Sequence, residues 1–187
     1  MKRFYSRREP HWAPWCRFRH HQVPADIEQW LRDRGSLTAR LKSASPGDFR
    51  VNLLRQGWAR PLDSERRLLG MRRGGIAVLR EVELLCGGVP WVFARTLIPA
   101  RSLQGPARRL AMLGERPLGE VLFADPSMRR GVTQMACLLP RHALFVSATV
   151  HLRQVEAIWG RRTLFHLAGK PLLVNELFLP DIPASPS

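Results

Sequence analysis

Two extended runs joined by a glycine pair constrain this fold more than any other feature of the chain. Ile76 to Leu85 and Pro90 to Ile98 flank Cys86-Gly87-Gly88-Val89. The tightest hairpin turns need positive φ at both central residues, which glycine adopts without steric cost, so this pattern predicts an antiparallel hairpin. Arg162 to Leu167, Ala168-Gly169-Lys170 and Pro171 to Leu179 form a second hairpin pattern, and Phe49 to Leu54 reads as one more strand.

The helical signals are short. Ile27, Trp30 and Leu31 share one helical face, Gly35 is a natural stop, and Ser36 is placed to cap a further turn containing Leu37 and Leu41. Ser102 to Leu113 is expected to be helical, with Gly105 and Pro106 delaying its start, and Pro117 to Phe123 is a second short helix opened by proline. Pro61 to Arg73 is charged and expected to cover the surface, whereas Leu144 to Leu152 fits strand and helix equally. Strand pairs with separate helices give an α+β domain on an antiparallel sheet. The expected organisation is one domain over residues 24–180, after an irregular basic arm (1–23) and before a flexible tail (181–187). The arm has no core-like periodicity and is expected to be dispensable for chemistry.

Composition narrows the function classes. The longest apolar runs are only a few residues, so no membrane span is expected, and a cytoplasmic protein is the reading. Cys16, Cys86 and Cys137 are far apart and form no C-x-x-C pair, and the spacing of His11, Cys16, His20 and His21 matches no standard metal-ligand pattern. The formal charge of +15 raises the question of nucleic acid or an anionic membrane. Only Lys2, Lys42 and Lys170 are lysine among 30 basic residues, which points to a general arginine bias. Residues 1 to 74 carry 17 basic and 7 acidic groups, so the excess leans toward the N-terminal part. The first 75 residues show no convincing helix-turn-helix with a recognition helix. No nucleic-acid partner is expected, the basic arm is a candidate for weak contact with an anionic membrane surface, and a monomer is expected.

Strand parity marks two side chains as out of place. Ile76, Val78, Arg80, Val82 and Leu84 share one face, as do Leu172, Val174, Glu176 and Phe178. Arg80 and Glu176 therefore point into apolar surroundings, where a charge needs a partner. They either pair with each other, snorkel outward at a sheet edge, or serve a ligand. Arg95, between Phe93 and Leu97, is expected to pair with Glu81 or Glu83 across the first hairpin. Arg116-Pro117-Leu118-Gly119 opens a helix whose first N–H groups lack internal partners, a weak signal for anion binding.

These residues also carry a resemblance. Leu79-Arg80-Glu81-Val82 to Leu85, Pro90-Trp91, Ala94-Arg95-Thr96, Ile98-Pro99, Pro117-Leu118-Gly119 and Leu122-Phe123 are similar to the chorismate pyruvate-lyase family. So are Trp159-Gly160-Arg161-Arg162, Gly169-Lys170-Pro171-Leu172-Leu173 and Glu176-Leu177-Phe178-Leu179-Pro180, in the same order; the match covers 74 of 187 residues. The resemblance implies a six-stranded antiparallel sheet flanked by helices, with the ligand enclosed between sheet and helical flaps. It implies no metal or organic cofactor. The implied activity converts chorismate to 4-hydroxybenzoate and pyruvate, the opening step of ubiquinone biosynthesis. Arg80 and Glu176 match the family's catalytic and principal ligand-binding side chains, and Leu118 a residue that binds through its backbone N–H. Leu37 matches a further main-chain contact, at a position where methionine is common. The alternative from another class is a non-catalytic aromatic-acid-binding or effector-sensing module of the same fold.

Overall fold

The computed structural model describes residues 8–19, 22–105 and 107–184. Six antiparallel strands form one open sheet: β1 (Phe49–Ala59), β2 (Ala77–Cys86), β3 (Val89–Pro99), β4 (Arg129–Leu138), β5 (Ile158–Leu167) and β6 (Lys170–Phe178). Their spatial order is β1-β2-β3-β6-β5-β4. Both anticipated hairpins are present, and each turns through two residues of positive φ, Gly87 and Gly88 at 60° and 76°, and Ala168 and Gly169 at 48° and 74°. Two strands from one hairpin and two from the other thus occupy the middle of the sheet, where both faces need cover.

The front face is covered by α1 (Ala25–Arg32), α2 (Leu37–Ala44), α4 (Ala107–Leu110) and α5 (Leu118–Ala124). Ile27, Trp30 and Leu31 of α1 are buried, as the periodicity requires, and Ser36 Oγ accepts from the Ala39 amide to cap α2. With Leu41 these side chains pack on Val82, Val92 and Phe178, while Leu110 and Leu122 pack on Val78, Ile98 and Val174. The back face is covered by α3 (Asp63–Leu68) and α6 (Ala143–Ala148). Leu144 and Phe145 of α6 meet Phe93, Leu138 and Leu177 there.

Four stretches differ from the sequence reading or extend it. The long helix expected over 102–113 shrinks to a 3-10 turn at Ala100–Ser102 and the single turn of α4, because Gly105 at φ 57° breaks the path between them. The charged Pro61–Arg73 stretch does cover the sheet, but it also plants Glu65, Leu69 and Met71 in the interior. Leu144–Leu152, equally strand or helix by pattern, opens as α6, and β4 lies in a stretch where no element was anticipated.

The arm is irregular but docked over residues 8–19. Trp12 and Ala13 are buried, Ala13 exchanges two backbone hydrogen bonds with Met135 of β4 (3.0 and 2.8 Å), and Glu9 accepts from the Ser64 amide. At the other end the Trp30 indole donates to the Pro183 carbonyl at 2.9 Å. Residues 1–7 and 185–187, within the predicted arm and tail, and His20 and His21 lie outside the described residues. Among the described residues no helix is long and apolar enough to cross a membrane, and no group of three His, Cys, Asp or Glu could hold a metal ion.

Candidate active site

The sheet register brings the two misplaced charges to one cavity. Arg80 lies opposite Thr96, Thr96 opposite Val174, and Ala94 opposite Glu176, so both charged side chains rise from the front face across β2, β3 and β6. Two strand spacings and an offset of two residues put their Cα atoms about 12 Å apart. Between them lies a small cavity of about 50 Å³, floored by Val82, Ala94, Thr96, Val174 and Phe165 and roofed by Leu37, Thr38, Pro117, Leu118, Gly119, Leu122 and Phe123. Arg80, Glu176, Leu118 and Leu37 all line it.

The ion pair left open by the sequence is not the one that forms. Among the described residues Arg80 has no carboxylate partner, although its residue is only 4% exposed. Its Nε donates to the Gly114 carbonyl at 3.2 Å, and its Nη2 donates to Gly114 and Arg116 carbonyls at 2.8 and 2.9 Å. Three of its five N–H groups are therefore spent on the loop that leads into α5, and the two on Nη1 have no protein partner among the described residues. Burial without a counter-charge lowers the Arg80 pKa.

Glu176 is instead paired with Arg161, its cross-strand neighbour on β5, through Nε–Oε2 at 2.5 Å. Arg161 is 1% exposed, and its Nη1 also donates to the Trp30 carbonyl at 3.0 Å and to the Asp33 carbonyl. One guanidinium thus ties the carboxylate to the C-terminal end of α1. Glu176 Oε1 has no hydrogen-bond donor among the described residues. Arg161 escaped the parity argument because its strand was read from Arg162 onward, although Arg161, Thr163, Phe165 and Leu167 share the face of Glu176. A charged residue heading that row was the available signal.

The roof consists of two helical pieces in close contact. A Cβ at Gly119 would lie 2.7 Å from Thr38 Oγ1 and 3.1 Å from Ser36 Oγ, so only glycine lets α5 approach α2 this closely. Lys42 and Glu120 bridge the same seam at 2.5 Å. Arg130 spans it from the side: Nη2 donates to the Gly35 carbonyl at 3.1 Å, and the guanidinium sits 5.6 and 5.1 Å from the rings of Phe123 and Phe165. Burial, then the neighbouring Arg161 charge, lowers the Arg130 pKa. The Leu118 amide, first in α5, has no backbone carbonyl partner among the described residues.

Arg95 belongs elsewhere, as expected. On the back face it pairs with Glu81 at 2.6 Å and makes a two-point contact with Glu65 at 2.9 and 3.1 Å. Glu65 from α3 could not be foreseen as its second partner. Arg162, beside Arg161 but on the opposite face, donates to Gln134 and Ser64 at 2.8 and 2.7 Å and lies 4.7 Å from the Trp12 ring. Burial, only partly offset by Glu65 and Glu9, lowers its pKa to about 10, so it remains a cation at neutral pH.

The cavity is an apolar slot with a carboxylate oxygen at one side and a guanidinium nitrogen at the other, closed by helices that touch at a glycine. Its volume admits a few waters. The family model described as chorismate lyase matches residues 10–184. A probable chorismate pyruvate-lyase of Methylococcus capsulatus is 45% identical over 86% of this chain and 98% of its own. One from Aromatoleum aromaticum is 46% identical over 92% and 95%. Among solved structures, the effector domain of PhnF from Mycobacterium smegmatis has a similar fold, with TM-score 0.56 and 19% identity over 79% of this chain and 90% of that domain.

Proposed function

Because the chain belongs to the chorismate lyase family, we propose that it removes pyruvate from chorismate and leaves 4-hydroxybenzoate, the aromatic precursor from which ubiquinone is built. The observation that carries this reading is that Arg80 and Glu176 line one mostly apolar cavity without pairing with each other. Chorismate has a ring carboxylate at one end and, para to it, a hydroxyl at C4 beside the enolpyruvyl ether on C3. Its length suits a slot with a cation at one end and an anion at the other.

In this reading the ring carboxylate meets Arg80 Nη1 and the Leu118 amide. A charged donor and a preorganised backbone donor together hold it without competing water. Glu176 Oε1 accepts from the C4 hydroxyl, while Oε2 stays fixed by Arg161. Leu37 and Thr38 close over the ring from α2. The C3–O bond then breaks, the hydrogen on C4 is lost, and the side chain ends as the methyl ketone of pyruvate. Aromatisation of the ring drives the step, so orientation within a dry cavity is the main contribution the protein makes. The charge on Glu176, held in place by Arg161, directs the C4 substituents whether the hydrogen passes through the carboxylate or moves directly to the enolpyruvyl methylene.

The test is to incubate purified protein with chorismate and measure both products. Equimolar 4-hydroxybenzoate and pyruvate support the lyase. The shared fold with an effector domain keeps one second reading in play, a module that senses an aromatic acid. Tight binding of 4-hydroxybenzoate with no pyruvate released would favour it and sink the first.

A further inference from the structure

One corner of the molecule combines exposed apolar side chains with arginines that have no counter-charge. Trp58 on β1 is 56% exposed, Ile76 just before β2 is 46% exposed and Met112 just after α4 is 78% exposed. The register places them together. Trp58 pairs with Val78 and Ala59 with Ala77, so Trp58 and Ile76 are diagonal neighbours on the same face, about 7–8 Å apart. Gln56, two residues from Trp58 on that face, donates to the Ala111 carbonyl at 2.7 Å and brings Met112 to the same corner. The Ile76 carbonyl accepts from Ala100, and Arg101 donates to the Leu69 carbonyl, which draws in the segments on either side.

The segments that meet at this corner are rich in arginine. Arg60, Arg72, Arg73, Arg101 and Arg108 lie on those segments and are exposed, and none has a carboxylate within ion-pair distance among the described residues. The sequence explains why: no Asp or Glu occurs between Asp48 and Asp63, between Glu65 and Glu81, or between Glu83 and Glu115. Of the acids that bound these stretches, Glu65, Glu81 and Glu83 are buried on the back face beside Arg95 and Asn52, Asp63 is exposed but paired with Arg66 at 3.4 Å, and Glu115 is exposed beside Lys42 and Phe49, toward the other end of β1. An exposed aromatic and two aliphatic side chains on segments rich in exposed arginines are what an anionic membrane surface binds. The apolar groups reach the boundary of the acyl chains while the cations meet lipid phosphates.

We propose that the corner formed by Trp58, Ile76 and Met112, with its surrounding arginines, is a docking surface for an anionic lipid bilayer. Nucleic acid fits less well, since a strand-binding site needs several aromatic platforms along a basic groove, and here a single ring stands beside two aliphatic side chains. The surface is adjacent to the cavity. Gln56 lies opposite Arg80 in the sheet, and the Ala111–Arg116 segment that Gln56 holds is the one whose carbonyls Arg80 binds. A bound membrane would therefore lie against the loop leading into α5.

Sedimentation of the full chain with phosphatidylglycerol–phosphatidylcholine vesicles tests this, with pure phosphatidylcholine vesicles and a short DNA duplex alongside. Binding is expected to the mixed vesicles alone and to weaken as salt rises. Trp58→Ser with Met112→Ser should lower it about tenfold or more, and Arg72→Gln with Arg73→Gln by about fivefold for each charge removed. Pyruvate release in solution should stay unchanged in both variants. Vesicle binding that survives both double substitutions, an absence of binding to anionic vesicles, or DNA binding that the same substitutions abolish would each overturn the proposal.

Discussion

Replacing Glu176 by glutamine separates what this carboxylate does for the fold from what it does for the reaction. The amide is nearly isosteric and its oxygen still accepts from Arg161 Nε, but the negative charge opposite a guanidinium that is 1% exposed is gone. Breaking a fully buried pair costs roughly 3–5 kcal/mol. Glu176 keeps 16% of its side chain exposed, and Arg161 retains two backbone acceptors, so the low end of about 3 kcal/mol is expected. In a domain of this size that lowers the melting temperature by about 6–12 °C. Stability loss alone is therefore no sign that the residue is merely structural, because the pair with Arg161 exists in any case. The rate is the discriminating measurement: single-turnover pyruvate release, scaled to the folded fraction at a temperature well below the transition, should fall about 100-fold or more. Affinity for 4-hydroxybenzoate should change much less. Arg161→Lys is the companion variant, since it preserves the charge while losing the backbone contacts at Trp30 and Asp33. A Glu176→Gln protein with lowered stability and an unaltered single-turnover rate would refute the assignment and leave Glu176 as the anchor of Arg161 alone.

Other outcomes follow from the same geometry. Arg80→Lys should fold but bind 4-hydroxybenzoate at least about tenfold more weakly, because one ammonium cannot both meet a ligand carboxylate and hold the Gly114 and Arg116 carbonyls; titration calorimetry reads this directly. Gly119→Ala should oppose closure of α5 on α2 by about 1–3 kcal/mol, appearing as faster product release with little change in melting temperature. Removing residues before Pro24 should destabilise the domain by about 3–5 kcal/mol from Trp12 alone, measured as the shift in urea midpoint, while pyruvate release per folded molecule should stay unchanged; an unshifted midpoint would refute the docking as a source of stability. His142→Asn should flatten the stability loss between about pH 6.5 and lower pH. Burial lowers the His142 pKa, its Nδ1 accepts from the Leu139 amide, and protonation therefore favours the unfolded chain as pH falls.

Local patterns in the sequence were enough for the hairpins, the buried face of α1, the Ser36 cap and the two charges on apolar rows. Each depends on a period of 2 or 3.6 or on the φ that glycine permits, and these act over a few neighbouring residues. The identity of the partners was decided by tertiary structure. Parity could say that Arg80 and Glu176 lacked company, but register placed Arg161 beside Glu176 and left Arg80 to two carbonyls of a loop more than thirty residues away. The same holds for Arg95, whose neighbour Glu81 was legible across one hairpin while Glu65 arrives from α3. The arm's docking against β4, the contact of α2 with α5 at Gly119 and the exposed apolar corner around Trp58 likewise join segments far apart in the chain. A single strand or helix records which of its faces is apolar, because burial selects side chains position by position. It carries no record of what lies opposite, since that depends on chain closure and on the order in which strands enter the sheet.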